Sequence, residues 1–191
     1  MTALTDLAAL VPWLIFFATW WIWSWRARAE VARAETVASR YFHLVLLYAS
    51  FLLLGARLLP LGPVSARLYE AGPAAGWAGI ALEVGGLAFA IWARAALGAN
   101  WSLNVAVKRD HRLVLAGPYG IVRHPIYTGL LAMFLGAALA FGTAAGFAGT
   151  LLMAIAYLRK IRLEERWMRE EFGDAYDTYA ARVRALVPFV F

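Results

Sequence analysis

The sequence predicts an all-α integral membrane protein: five transmembrane helices, the last two a helical hairpin, with a cytoplasmic loop and C-terminal helices. Three observations predict it. Apolar residues make up 63% of the 191-residue chain and charged residues 16%, against about 45–50% and 25% in soluble domains. Mean hydropathy is +0.65. The cations collect beside charge-free stretches, which is a topology pattern and not a nucleic-acid surface. One domain, 1–191, is expected at this length. With no cysteine in the chain, disulfides, thiolate metal sites and a cysteine nucleophile are excluded. No cleavable leader is expected, because no basic stretch precedes the first apolar residues.

Residues 7–25 are 19 positions without a charge, enough at about 1.5 Å each to cross a hydrocarbon core of about 30 Å. Trp20, Trp21, Trp23 and Trp25 crowd one end as an interfacial belt. Arg26, Arg28, Arg33 and Arg40 then mark 26–40 as a basic, helix-favouring connection. A second span covers 41–59, with His43 near its basic end and Arg57 near the far end, where a long side chain can snorkel. Prolines and glycines make 60–73 a loop. The third span, 74–97, holds Glu83 well inside and Arg94 near its exit. Three helical turns put these two about 16 Å apart, too far to pair. Glu83 reads as a hydrogen bond to a neighbouring helix, as the lining of a substrate tunnel, or as part of an ion path.

Residues 98–123 are too polar to span. Alternation over 104–107 and the apolar run 113–115 suggest extended backbone around a turn at 108–111. Residues 125–158 are 34 positions with no charge, about 51 Å as one helix and too long for one crossing. Arg123 lies before this stretch and Arg159, Lys160 and Arg162 after it, so both ends belong on one side. A hairpin turning near 142–146 follows, with arms 125–141 and 144–158. Gly142 and Gly146 have the spacing that permits close backbone approach. The N-terminus then lies outside, and the inside segments 26–40, 108–123 and 159–184 carry 4, 4 and 7 Lys/Arg.

From Arg159 the chain reads as a helix leaving the membrane. Leu158, Ile161, Met168 and Phe172 share a face, with Glu165 inside that arc and Glu164 at its edge. A carboxylate on an apolar face calls for a partner; otherwise the helix is exposed and laced with pairs such as Glu165–Arg169. Gly173 suits the residue after a helix end, and another short amphipathic helix runs up to Pro188.

The densest polar group beside any apolar segment is in GPYGIVRHPIYTG, residues 117–129, which contains Tyr119, Arg123, His124 and Tyr127. One reading is a membrane-entry signal: Arg123 as an inside cation, Pro125 at the first helical position, Tyr127 at the interface. The other is an inner-face pocket of turn amides, two tyrosines, His111, His124, Arg123 and the glutamate pair. Such a set suits a zwitterionic, hydroxyl-bearing aromatic ligand. No GxGxxG, P-loop, HExxH or hydrolase triad is present, and His43, His111 and His124 lack ligand spacing, so no metal is expected.

LxxxGPYxxVRHPxYxG, followed after the hairpin by Glu-Glu and then FGxxYxxY, resembles the isoprenylcysteine carboxyl methyltransferase and phospholipid methyltransferase superfamily. The resemblance covers 98–191, the expected catalytic half, including its NWS opening. It implies S-adenosylmethionine bound at the cytoplasmic face, S-adenosylhomocysteine as product, and a lipid-like acceptor arriving through the bilayer of the inner membrane. By position, His111, Arg112, Leu113 and Val114 resemble the family's backbone-contact strand for the cofactor. Tyr119 matches its adenine-side aromatic, and His124, Pro125, Ile126 and Tyr127 its central contact. Glu164 matches the cofactor-holding glutamate, while helical phase favours Glu165, so both stand as candidates. Asn104 falls at a polar cofactor contact. Where prenylcysteine enzymes place an arginine for the substrate carboxylate, this chain has Lys160, a point charge and not a bidentate fork. Arg123 and Lys160 are the expected catalytic groups, as electrostatic positioners with no obligatory base. An isoprenylcysteine carboxylate is the favoured acceptor; a phospholipid amine, a small thiol, and a non-enzymatic transporter or assembly role are the alternatives.

Overall fold

The computed structural model describes residues 2–26, 31–59, 62–70, 72–98, 106–108 and 113–188. Among these, helices α1 (Thr2–Ala8), α2 (Val11–Arg26), α3 (Val37–Leu54), α4 (Pro73–Leu97), α5 (Pro125–Phe141), α6 (Ala144–Phe172) and α7 (Asp174–Arg182) carry the fold. Two short strands, β1 (Val31–Ala34) and β2 (Ala106–Lys108), form an antiparallel ribbon. By length and composition, 4–24, 37–58, 73–97 and 144–172 can each cross a membrane, and α5 is a shorter apolar helix. The chain is therefore multi-pass.

Several boundaries differ from the sequence expectation. The first span is broken after Ala8, because Pro12 brings no amide to the turn before it. The 26–40 connection contains β1 in place of a helix: its amides pair with β2, which lies about seventy positions on and so gives no local signal. Extended backbone is found at 106–108, whereas 113–115 forms no strand, and 104–105 and 109–112 lie outside the described residues. Helix α6 joins the expected arm 144–158 and the helix expected from Arg159 in one unbroken run, with no glycine or proline between 150 and 172. Helix α7 stops at Arg182, and the chain beyond it folds back.

The hairpin turns at Gly142, whose φ of 66° is left-handed and suits glycine. Backbones come close at the expected Gly142, where a Cβ would lie 2.9 Å from the Tyr69 carbonyl oxygen, and closer still on α4 against α5. A Cβ on Gly136 would lie 2.5 Å from the Gly79 carbonyl oxygen, and one on Gly129 2.5 Å from that of Gly86. Two crossings seven residues apart thus bring two antiparallel backbones into contact. Met133 and Phe134 fill the centre beneath them, fully buried. Trp13 of α2 and Phe51 of α3 meet Phe134 at ring separations of 5.1 and 4.9 Å. Of the three readings of Glu83, hydrogen bonding to a neighbour is the one observed: the Trp13 indole of α2 donates to it at 3.2 Å.

The hairpin end is closed by Asp6, which accepts from Arg67 at 2.8 Å and sits 3.4 Å from Arg57. At the opposite end, the first amides of α5 have no intrahelical partner. The chain after α7 pairs with the residues that lead into that start: the Arg123 and His124 amides donate to the Arg184 and Ala185 carbonyls at 2.8 and 3.0 Å. The Thr128 hydroxyl donates to Leu186 at 2.7 Å. This clasp fixes the residues that make the site.

Candidate functional site

The clasp holds Arg123 and His124 facing the second half of α6. Arg123 donates through Nε and Nη2 to Glu165 Oε1 at 2.8 and 2.6 Å. Its Nη1 donates to the carbonyls of Ala180 and Val183. Both side chains of the pair are nearly buried, 12% and 11% exposed. Arg123 therefore ties α5, α6 and the end of α7 together, and its donors are occupied by the protein itself. Glu165 is further held by His124 Nε2 at 3.2 Å and Arg169 at 3.6 Å. Removing one partner of such a pair costs about 3–5 kcal/mol. Arg123→Ala should lower the thermal midpoint of the detergent-purified protein by on the order of 10 °C, and Arg123→Lys should restore part of it. An unchanged melting curve would deny the cross-link.

Glu164 has the opposite character. Tyr127 donates its hydroxyl to Oε1 at 2.5 Å, and His124 Nδ1 stands 3.5 Å from Oε2. Yet its side chain keeps 23% exposure, and it lines a cavity of about 800 Å³ that Glu165 does not reach. Burial disfavours the charged ring of His124, but the two carboxylates outweigh it and hold the pKa above the ordinary histidine value. His124, Tyr127 and Tyr157 form a stack, at centroid separations of 5.7 and 4.6 Å with near-parallel planes. Lys160 places Nζ 5.6 Å from the Tyr127 ring centroid.

The structure thus brings Arg123, His124, Tyr127, Glu164 and Glu165 into one network, with Lys160 beside it. Leu113, Val114, Tyr119 and Ile126 line the same cavity. Burial pushes the Tyr119 phenol up, which keeps it protonated, and its carbonyl accepts from Tyr179 at 2.6 Å. Pro125 is fully buried and serves the helix start. Asn104, His111 and Arg112 lie outside the described residues. The sequence reading gave Tyr157 no role and used Tyr176 and Tyr179 only as the tyrosines of the FGxxYxxY motif; all three line the cavity. Tyr157 was hidden as one more aromatic in an apolar arm, whereas Tyr176 and Tyr179 stood in a motif without a stated role. The cavity continues away from the polar network as an apolar groove between α2 and α3, walled by Phe16, Phe17, Leu47 and Phe51.

A family model described as phospholipid methyltransferase matches residues 74–175. A protein-S-isoprenylcysteine O-methyltransferase of Schizosaccharomyces pombe is 35% identical over 99 residues, covering 49% of this chain and 41% of that protein. Methanethiol S-methyltransferase 2 of Bradyrhizobium diazoefficiens is 42% identical over 77 residues, covering 38% of this chain and 27% of its own. The solved structure of a eukaryotic intramembrane Ras methyltransferase, isoprenylcysteine carboxyl methyltransferase, superposes with a TM-score of 0.55 at 22% identity, over 82% of this chain and 54% of that one. This chain thus spans about half the length, or less, of the relatives it matches. The structural likeness is one of fold.

Proposed function

Because the chain belongs to the phospholipid methyltransferase family, we propose that it is an integral membrane methyltransferase that uses S-adenosylmethionine and acts on a lipid-like acceptor. The observation that carries this reading is the cavity itself, which joins a polar network at Glu164 to an apolar groove between α2 and α3. At about 800 Å³ it is of the size that holds a drug-sized ligand. The donor set fits the cofactor: a partly exposed carboxylate, a protonated phenol and a stack of aromatic rings.

In this reading Glu164 accepts hydrogen bonds from ribose hydroxyls or the ammonium of the cofactor. Tyr127 and His124 orient that carboxylate, and Tyr119, Leu113, Val114 and Ile126 wall the site. Asn104, His111 and Arg112 would complete it from the preceding loop. S-adenosylmethionine, when bound, supplies a methyl group made electrophilic by its sulfonium. What remains for the protein is positioning of the nucleophile in line and exclusion of water. The aromatic and aliphatic walls of the groove do the second, and Lys160 leaves one positive charge beside the Tyr127 ring.

Arg123 is the exception among the expected catalytic groups. Its guanidinium is engaged by Glu165 and two carbonyls, so its role is to position Glu165 and the clasp. The name of the fungal relative points to an isoprenylcysteine carboxylate. Among the described residues the cavity offers such a carboxylate Lys160 beside the Tyr127 ring and Arg40 at the wall, while the fork of Arg123 is already engaged.

Five crossings follow if α5 spans, with the N-terminus outside. Of the 18 Lys/Arg, the segments 26–40, 108–123 and 159–184 hold 4, 4 and 7, which turns the site toward the cytoplasmic face of the inner membrane. Incubating the purified protein with methyl-labelled S-adenosylmethionine and a membrane lipid extract should transfer label into a lipid fraction. No transfer, together with no binding of S-adenosylhomocysteine, would sink the reading.

A further inference from the structure

His43 of α3 lies on the wall of the cavity formed by α3 and α6, and nothing in the proposed cofactor site uses it. Its side chain is buried, 9% exposed, yet Nδ1 has no hydrogen-bond partner. Leaving a buried nitrogen unpaired is costly, and a ligand group that completes the bond removes that cost. The ring lines the same cavity as Glu164, Tyr127 and Lys160. Its centroid is 6.5 Å from that of Tyr157, which in turn stacks on Tyr127. His43 therefore stands where the apolar groove meets the polar network. Phe16, Phe17 and Leu47 line that same cavity with it.

The charged groups acting on His43 are Lys160, Arg159 and Glu164 from α6 and Glu35 from the segment before α3, with Arg40 of its own helix at the cavity wall. Two of these are engaged through a serine: Arg159 donates to Ser39 Oγ at 2.6 Å, and Ser39 donates to Glu35 at 2.8 Å. Glu164 is occupied by Tyr127. None of the hydrogen bonds described satisfies Nδ1.

Resting on the methyltransferase reading, we propose that His43 faces the methyl acceptor, hydrogen-bonding its nucleophilic N–H or S–H through Nδ1 and taking that proton as the methyl group arrives. The step balances. The acceptor's lone pair forms the new bond to the methyl carbon, the electrons of the broken carbon–sulfur bond stay on sulfur as a neutral thioether, and the acceptor's proton passes to His43 and then to water. A carboxylate acceptor has no proton to give and needs no such base. The inference therefore assigns the site a protic acceptor, a lipid amine or a thiol.

The test uses detergent-purified protein and three acceptor probes: phosphatidylethanolamine, 1-decanethiol and N-acetyl-S-farnesylcysteine. His43→Gln should bind S-adenosylhomocysteine within about twofold of the wild type, so the cofactor site is intact. Its kcat on the protic probe that the wild type prefers should fall by on the order of 100-fold, and the acidic limb of the pH profile should disappear. In the wild type loaded with S-adenosylhomocysteine, diethyl pyrocarbonate should modify His43, read by peptide mass spectrometry, which a sealed structural histidine would resist. The proposal is overturned by an unmodified His43, by an unchanged kcat and pH profile in His43→Gln, or by its loss of S-adenosylhomocysteine binding. It is overturned equally by a wild type that binds S-adenosylhomocysteine but methylates neither protic probe. Wild-type protein that fails to bind S-adenosylhomocysteine sinks instead the methyltransferase reading beneath it.

Discussion

Glu164→Ala should weaken S-adenosylhomocysteine binding by about 100-fold or more while the protein still inserts and melts near the wild-type temperature; Glu165→Ala should do the reverse. The two carboxylates are adjacent in sequence and divided in structure. Glu165 is held by Arg123 at 2.6 Å and by His124 at 3.2 Å, with 11% of its side chain exposed. Glu164 has Tyr127 at 2.5 Å and keeps 23% of its side chain open to the cavity. Each hydrogen bond to a charged group is worth about 1.5–3 kcal/mol, and 1.4 kcal/mol is tenfold in affinity. Two lost bonds therefore correspond to roughly two to four decades. Calorimetric or fluorescence titration on the purified variants decides it. Unchanged affinity in Glu164→Ala would remove that residue from the site, and lost affinity in an otherwise stable Glu165→Ala would exchange the two roles.

Gly136→Val should prevent accumulation of folded protein altogether. A Cβ there lies 2.5 Å from the Gly79 carbonyl oxygen and 2.8 Å from the Glu83 amide nitrogen. Neither can move without its helix, so α4 and α5 must separate along their whole contact. Overpacking of a core costs about 1–3 kcal/mol when side chains can yield; here backbone opposes backbone and the loss exceeds that range. Gly85→Ala is the matched control, because a Cβ at that position of α4 meets nothing within 4 Å. Size-exclusion profiles after detergent extraction should show a monodisperse Gly85→Ala protein and aggregated or absent Gly136→Val. A well-behaved Gly136→Val would show that the two helices are not locked at this crossing.

The contrast between these variants explains what the sequence could reveal. The limits of α4 and α5 were legible, because charges, prolines and Gly142 stand at their ends. The end of α6 at Gly173 was legible as well, and the helix expected from Arg159 is continuous with the arm before it. Strand β1 was not, because its partner lies far along the chain. The polar network was partly legible. Helical phase correctly marked Glu165 as the carboxylate on the apolar arc in need of a partner. That this partner is Arg123 depends on residues 180–185 folding back to hold the guanidinium, and no periodicity encodes that. His43 was visible as a polar residue near the basic end of a span, but its unpartnered nitrogen and the cavity it borders exist only once α3 stands against α6.

The groove between α2 and α3 carries a kinetic consequence. Any acceptor that enters along Phe16, Phe17 and Leu47 is drawn from a two-dimensional solvent. Its saturation is then governed by mole fraction within the leaflet and not by molarity in the tube. Adding detergent micelles at constant acceptor should slow turnover by surface dilution, and crowding the acceptor into fewer lipids should restore it.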